Sequence, residues 1–287
     1  MLVAAAAQCD RILDNMNRRN FVAGAAGASL LAPISMDAES QNSETPAQKQ
    51  PTQKPMFLEL RKFQLRNTTD NQRGRATDFL SKTYAPALTQ AGAVTVGLFS
   101  PMIAADSPFV LALASYPTLD AYDQVHTKLW SDESFSKEAE KASSGPLLFQ
   151  RMEVSLLKGF PGFPGIELQK GDAGKTGRIF EMRTYESSTP ISLKKKIKMF
   201  EDGEIDIFRK YGLAPIFFGE QLAGGKMPNL TYMVAFENVT TRDASWRGFA
   251  TSAEWKKLSS TPGLSDGDVV SNISNMLLSP LPGSQVR

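Results

Sequence analysis

Glutamate, arginine and tyrosine alternate along one short segment of the chain. The segment IFEMRTY (179–185) places Glu181, Arg183 and Tyr185 at every second position. Side chains of a β-strand alternate between its two faces, so these three share one face and the apolar residues between them share the other. A guanidinium fork beside a phenol could hold a carboxylate or an enolate-like ligand.

The same pattern occurs earlier, in the segment FLELRKF (57–63), with Glu59, Arg61 and Phe63. Phenylalanine replaces tyrosine there, so this copy lacks the hydroxyl. The predicted ligand-binding residues are therefore Glu59, Arg61, Glu181, Arg183 and Tyr185. In the alternative interpretation each glutamate neutralises its neighbouring arginine as a structural pair, since partly buried charges without partners are costly. Both interpretations predict each arginine within salt-bridge distance of a glutamate.

Other residue types exclude several kinds of chemistry. Cys9 is the only cysteine and lies in the N-terminal leader, so thiolate nucleophiles, disulfides and cysteine-bound metals are excluded from the body of the chain. His126 is the only histidine. It falls in an apolar helical stripe, which favours a packed histidine, with an axial haem ligand as the alternative. No phosphate-binding glycine motif or G-x-S-x-G nucleophile motif is present. We predict no metal ligands and no cofactor, and no catalytic residue is identified.

The charge balance argues against nucleic acid as a partner. Lys and Arg number 32 against 30 Asp and Glu, for a net charge of +2. Nucleic-acid binding usually leaves a basic surplus or stripe. The densest basic run, Lys194, Lys195, Lys196 and Lys198, is interpreted as the solvated face of a helix. Asp266-Gly267-Asp268 is interpreted as a turn.

The two Glu/Arg segments belong to a longer internal repeat. Glu59 and Glu181 are 122 residues apart, and four further pairs keep nearly that offset. These are Gly92 and Gly212, Pro108 and Pro228, Phe135 and Trp255, and Leu156 and Leu277. Five landmarks in one order at one spacing indicate a duplication.

Each copy is predicted to have the order β-α-β-β-α-β, the ferredoxin-like split unit. Gly92 and Gly212 end the first helices, and Pro86 should kink the first of them. The predicted strands are 57–65, 93–99, 109–116 and 148–157 in the first copy, and 178–186, 214–220, 230–237 and 268–278 in the second. The second helical regions are predicted at 118–142 and 241–258.

The opening Glu-x-Arg-x-Tyr/Phe strand, the glycine-terminated first helix and the aromatics Phe135 and Trp255 resemble the NIPSNAP family. The resemblance covers roughly residues 56 to 280 and is stronger in the second copy. It implies a ferredoxin-like dimeric α+β barrel, which two tandem copies would build within one chain. The family's biochemical activity is poorly defined, so the resemblance implies no reaction.

In such a barrel one face of each strand lies under helices and the other faces the interior. We expect the apolar face, with Phe180 and Met182, to lie under the helices. The five Glu, Arg and Tyr residues would then line the barrel cavity. A one-residue change of register would reverse this assignment.

The N-terminus has the features of an export signal. Arg18 and Arg19 precede a short Gly/Ala-rich apolar run, as in a twin-arginine signal. The predicted division is a signal (1–36), a disordered tether (37–55), the first repeat (56–158), a Pro/Gly-rich linker (159–177), the second repeat (178–280) and a tail (281–287). We expect a periplasmic or secreted protein, with no stable membrane span beyond a signal anchor.

Three functions follow from these features. The first is the binding of a small ligand in the barrel cavity. The second is a cofactor-independent monooxygenase or isomerase acting in that cavity, which rests on fold analogy alone. The third is a structural interaction protein of the cell envelope, which a cavity filled by Phe, Tyr and Leu would favour. Whether the protein is an enzyme, and whether it forms a homo-oligomer, stay open.

The export signal leads to a first prediction. Changing Arg18 and Arg19 to Lys should leave the protein in the cytoplasm, because the twin-arginine route reads the paired guanidinium groups. Immunoblots of periplasmic and cytoplasmic fractions measure the effect, and a lysine substitution at Arg11 serves as the control. An unchanged periplasmic yield would show that the arginine pair is accidental.

Overall fold

The computed structural model describes residues 53–169 and 178–287. The predicted signal and nearly all of the tether (1–52), and the last part of the linker (170–177), lie outside the described residues.

The first repeat follows the predicted order of elements. Its strands are β1 (Phe57–Gln64), β2 (Thr95–Ile103), β3 (Phe109–Tyr116) and β4 (Arg151–Gly159). Its helices are α1 (Gln72–Phe79), a π-helical turn (Leu80–Tyr84), α2 (Ala85–Ala91), α3 (Leu119–Ser131) and α4 (Glu133–Ser143).

The second repeat has the same order. Its strands are β5 (Ile179–Glu186), β6 (Ala214–Ala223), β7 (Asn229–Phe236) and β8 (Asn272–Pro280). Its helices are α5 (Pro190–Met199), a second π-helical turn (Phe200–Glu204), α6 (Ile205–Lys210), α7 (Val239–Thr251), α8 (Ala253–Ser259) and the short α9 (Asp266–Val269). The predicted β-α-β-β-α-β unit is confirmed in both copies.

The eight strands form one closed antiparallel barrel in the order β1-β3-β2-β8-β5-β7-β6-β4. Each repeat supplies four adjacent strands, and the two sheets meet where β2 pairs with β8 and β4 pairs with β6. The prediction that the two copies close on each other within one chain is therefore confirmed. Closure leaves neither sheet with an open edge.

Three apolar clusters form the core of the described residues. One cluster is drawn from both repeats and occupies the barrel interior, with Leu58, Leu60, Phe180 and Met182 among its members. The other two lie between each sheet and its own helices. Both faces of the strands are therefore covered, and every residue of β3 and β7 is buried.

The first helix of each repeat contains a π turn instead of a sharp kink. Pro86 lies in the first turn of α2, directly after the π turn. The Ala85 N–H bonds to the Leu80 carbonyl in the wider i→i−5 pattern. The second repeat forms the same turn with Asp206 at the equivalent position, so Pro86, which has no N–H to donate, is accommodated by the turn and is not its cause. Gly92 ends the helix at a φ of 126°, as predicted.

The second helical regions are each split in two. Asp132 ends α3 and caps α4, accepting a hydrogen bond from the Phe135 N–H at 2.8 Å. Ser252 does the same between α7 and α8. The sequence analysis predicted each of these as one helical region. In the second repeat α9 occupies the predicted start of the last strand, so β8 begins at Asn272.

The C-terminal tail completes one end of the barrel. Gln285 exchanges hydrogen bonds with the Val96 backbone, and Val286 is buried in the interior cluster. The tail therefore pairs with the start of β2 and adds Val286 to the interior cluster.

Among residues 53–169 and 178–287, no helix combines the length and the apolar character needed to cross a bilayer.

The closed barrel predicts that neither repeat is stable alone. Residues 53–169 and 178–287, expressed separately, would each expose two strand edges and the apolar interior face. We expect each half to self-associate or precipitate, and the two to recover one soluble 1:1 species when refolded together. Size-exclusion chromatography with light scattering checks this, and two monomeric halves with cooperative melting transitions would contradict it.

Candidate functional site

The Glu/Arg face of β1 and β5 lies under the helices, so the predicted inward orientation is wrong. Leu58 and Leu60 line the interior, as do Phe180 and Met182, while the charged residues reach helices α3 and α7. The interior of an eight-stranded barrel is narrow enough for side chains to fill, and here those side chains are apolar. The helices supply N–H donors to the carboxylates, from His126, Arg242 and Trp246. The prediction of a ligand in the barrel cavity loses its basis, because Leu, Phe and Met fill that space.

Glu59 is a buried acceptor that joins β1, β3 and α3. It accepts hydrogen bonds from Arg61 Nε at 2.6 Å and from the Tyr116 hydroxyl at 2.8 Å. His126 Nε2 lies 3.0 Å from the same carboxylate. The predicted Arg–Glu pair is thus confirmed in the first repeat, where Arg61 Nη2 is 2.5 Å from Glu59 Oε1.

Glu181 occupies the equivalent position between β5 and α7. Arg183 Nη1 donates to Glu181 at 2.9 Å, which confirms the second predicted pair. Arg242 donates through Nε at 2.6 Å and Nη2 at 3.0 Å, and Trp246 Nε1 donates at 2.8 Å. Neither Arg242 nor Trp246 was among the site residues predicted from the sequence.

Arg242 limits the hydrogen bonds that Arg183 forms with Glu181. In the first repeat Arg61 binds its glutamate through two nitrogens, whereas Arg183 uses one because Arg242 occupies both oxygens of Glu181. Arg183 Nε is buried and has no hydrogen-bond partner among the described residues. Its guanidinium Cζ lies 4.7 Å from the centroid of the Trp246 ring and 5.5 Å from that of Tyr185.

Both buried glutamates are held ionised. Burial opposes ionisation, but the hydrogen bonds and positive charges of Arg242 and Arg183 hold the pKa of Glu181 below its ordinary value of 4.5. Burial also opposes the ionisation of Glu59, but His126 and Arg61 hold its pKa below the ordinary value of 4.5.

A second buried charged pair lies beside Arg183. Lys196 Nζ is 2.9 Å from Glu204 Oε2, and both side chains are almost fully buried. Lys196 Nζ also lies 5.5 Å from the Tyr185 ring, and the Tyr232 hydroxyl donates to the Tyr185 hydroxyl at 2.9 Å. We call Arg183, Tyr185, Lys196, Glu204 and Trp246 the second-repeat site.

The interpretation of the lysine run as a solvated face is wrong for Lys196. Lys194 and Lys198 are exposed, while Lys196 is 1% exposed. A signal was present in the sequence, because Lys196 falls three residues after Leu193 and four before Phe200, on the apolar stripe of α5.

His126 does not fit an axial haem ligand in this geometry. Its Nε2 atom is bound to the Glu59 carboxylate and lies 3.4 Å from the Tyr116 hydroxyl, so the ring belongs to the helix–sheet network. Within the part of the chain that the structure describes, no group of three or more His, Cys, Asp or Glu could hold a metal ion.

The fold and the duplicated carboxylate networks define a dimeric α+β barrel built from one chain. Two solved structures share this fold, and both proteins carry provisional monooxygenase assignments. One, from Fusobacterium nucleatum, is 9% identical over 79% of this chain and 93% of its own, with a TM-score of 0.54. The other, from Lactobacillus acidophilus, is 10% identical over 82% and 100%, also with a TM-score of 0.54. At such identities the likeness extends to the fold alone.

The NIPSNAP family model matches residues 180–285. The match covers the second repeat, and the expected resemblance to the NIPSNAP family is confirmed there. A NIPSNAP family protein of unknown function from Agrobacterium tumefaciens is 16% identical over 38% of this chain and 94% of its own, with a TM-score of 0.34. A search of curated proteins finds no match.

The Glu181 network predicts an acid-sensitive contribution to stability. Glu181→Gln should lower the free energy of unfolding by roughly 3–5 kcal/mol at pH 7, because two arginines lose a buried counter-charge. The pKa of Glu181 is depressed in the folded state, so this contribution is present above its ordinary value of 4.5 and is lost as pH falls through the folded value. Urea unfolding at pH 7 and pH 3 should show the difference shrinking.

Glu220→Gln is the control, because its partner Lys194 is largely exposed and such pairs contribute only about 0–1 kcal/mol. An equal cost of the two variants, or one independent of pH, would contradict this account.

Proposed function

We propose that the second repeat binds a small organic anion, a carboxylate or an enolate, between its sheet and its helices. The observation that carries the proposal is the unpaired Nε donor of the buried Arg183 guanidinium. A buried donor without a partner costs about 1–3 kcal/mol, which a ligand that accepts its hydrogen bond would recover.

The charges around Arg183 favour an anion. Two guanidinium groups, Arg183 and Arg242, share the one buried carboxylate of Glu181, and the further partner of Arg242, Asp243, is half-exposed. Lys196 adds a third cation, paired with Glu204. An anionic ligand would accept from the remaining donor in a charge-assisted hydrogen bond.

The surroundings of Arg183 favour a flat organic group on that anion. The rings of Trp246 and Tyr185 both contact the guanidinium, and Lys196 contacts the same Tyr185 ring. Ligand sites combine apolar and aromatic walls with a few convergent polar groups. Of the five residues predicted from the sequence, Arg183, Tyr185 and Glu181 belong to this proposal. For Glu59 and Arg61 we propose the structural pairing.

The packed barrel interior favours a second candidate, a purely structural protein of the cell envelope. The first repeat fits that role, since its arginine and glutamate satisfy each other. A cofactor-independent monooxygenase, by analogy with the two structural neighbours, would use the same second-repeat site. We also propose export by the twin-arginine route, supported by the arginine pair and the apolar run of the leader.

Phenylpyruvate, a flat aromatic 2-oxo acid, is the probe for this proposal. Arg183→Met should weaken its binding about 30-fold or more, because a charged hydrogen bond contributes about 2–3 kcal/mol. The fold should survive, since Glu181 keeps Arg242 and Trp246 as donors. Isothermal titration calorimetry and thermal melts measure the two effects.

Arg61→Met is the matched control in the first repeat. It should leave phenylpyruvate binding unchanged and cost more stability, because Glu59 loses its only arginine. No binding by the unaltered protein, or equal effects of both variants on binding, would favour the structural role instead.

A further inference from the structure

The Lys196–Glu204 pair is buried in the first helix of the second repeat. Residues eight apart in a regular helix are separated by about 12 Å along its axis. The π turn between Phe200 and Glu204 interrupts that regularity, and Gly203 within it has a φ of 151°. The Lys196 ammonium and the Glu204 carboxylate meet across this turn at 2.9 Å. π turns inside helices are frequent at functional sites.

The first repeat shows that the fold does not require the pair. It has a π turn at the same place, yet Ala76 and Tyr84, which lie 120 residues before Lys196 and Glu204, carry no charge there. Phe63 and Ala112 likewise stand where the second repeat has Tyr185 and Tyr232. Apolar replacement of a buried ion pair is often neutral or stabilising. Its presence in one repeat alone therefore indicates a use other than folding.

The pair is adjacent to the proposed anion site. Lys196 Nζ and Arg183 Cζ each lie 5.5 Å from the centroid of the Tyr185 ring. On its outer side Lys196 is 3.8 Å from Asp266 Oδ1 in α9, and Asp266 is half-exposed. Burial raises the pKa of Glu204 to about 6, against the opposing effect of Lys196. A carboxylate of this kind is ionised at neutral pH and is a stronger base than an exposed glutamate.

We propose that Glu204 and Lys196 catalyse proton transfer on a carbonyl-containing carboxylate held by Arg183, an inference that rests on the proposed function. The Glu204 carboxylate takes a proton from the carbon next to the carbonyl group. The C–H electron pair forms the new C=C bond, and the carbonyl oxygen becomes an enolate oxygen held by the Lys196 ammonium. Glu204 returns the proton to that carbon or to a conjugated one. The reaction is a tautomerisation or isomerisation and needs no oxidant or reductant.

The test follows loss of the benzylic C–H signal of phenylpyruvate in D2O by proton NMR, using the full-length protein. General-base catalysis contributes about 10²–10⁴-fold, so Glu204→Gln should slow the exchange by at least 100-fold while phenylpyruvate binding is kept. Asp202→Asn, on the exposed Lys198–Asp202 pair of the same helix, is the matched control and should exchange at the unaltered rate.

A second variant covers the case in which Glu204→Gln fails to fold. Lys196→Met combined with Glu204→Leu removes both charges, as in the first repeat, and should keep the fold while losing the exchange. Retained exchange in this double variant would overturn the inference. Unaltered protein that binds phenylpyruvate without accelerating exchange would overturn it too and leave the anion site standing. Absence of binding would remove both proposals.

Discussion

A buried glutamate between sheet and helix is the constraint on which each repeat depends. Glu59 and Glu181 lie on the opening strands, under 2% exposed, and an ionised carboxylate at that depth must be satisfied by donors. Some of those donors lie on the same sheet, and the others come from the helices: His126 of α3 in one repeat, and Arg242 and Trp246 of α7 in the other. The carboxylate therefore fixes the helix on the sheet, and it explains why the Glu/Arg face turns away from the barrel interior.

Duplication allowed the two copies to use this anchor differently. In the first, one arginine, one tyrosine and one histidine saturate the carboxylate, and the space under the first helix is filled by apolar side chains. In the second, Arg242 takes over the anchoring, which leaves Arg183 with an unused donor beside Lys196 and Tyr185. Because Arg242 on α7 holds that helix to Glu181, Arg183 on β5 keeps a donor for another task.

The sequence predicted the fold better than the site, for identifiable reasons. The repeat offset and glycine-terminated helices were enough for the β-α-β-β-α-β order, and strand alternation correctly grouped Glu181 with Arg183. Alternation does not say which face is inside, and because both faces are buried here, the contrast between a charged face and an apolar face does not decide it. Arg242 lies 61 residues from Glu181, and no local pattern links the two. Lys196 was hidden by its neighbours: three exposed lysines suggested solvent, although its spacing from Leu193 and Phe200 places it on the buried stripe.

The energetic asymmetry between the repeats bears on where function lies. Burying Lys196 and Glu204 costs several kcal/mol per charge, and their attraction recovers that only with good geometry and further partners. The first repeat forms the same order of strands and the same π turn with alanine and tyrosine at those positions, so this part of the fold does not require the charges. Because burying the Lys196–Glu204 pair is costly and the first repeat does without it, the pair is better explained by an action on a ligand. The barrel interior is apolar in both repeats, and we interpret it as the rigid scaffold that supports a single site.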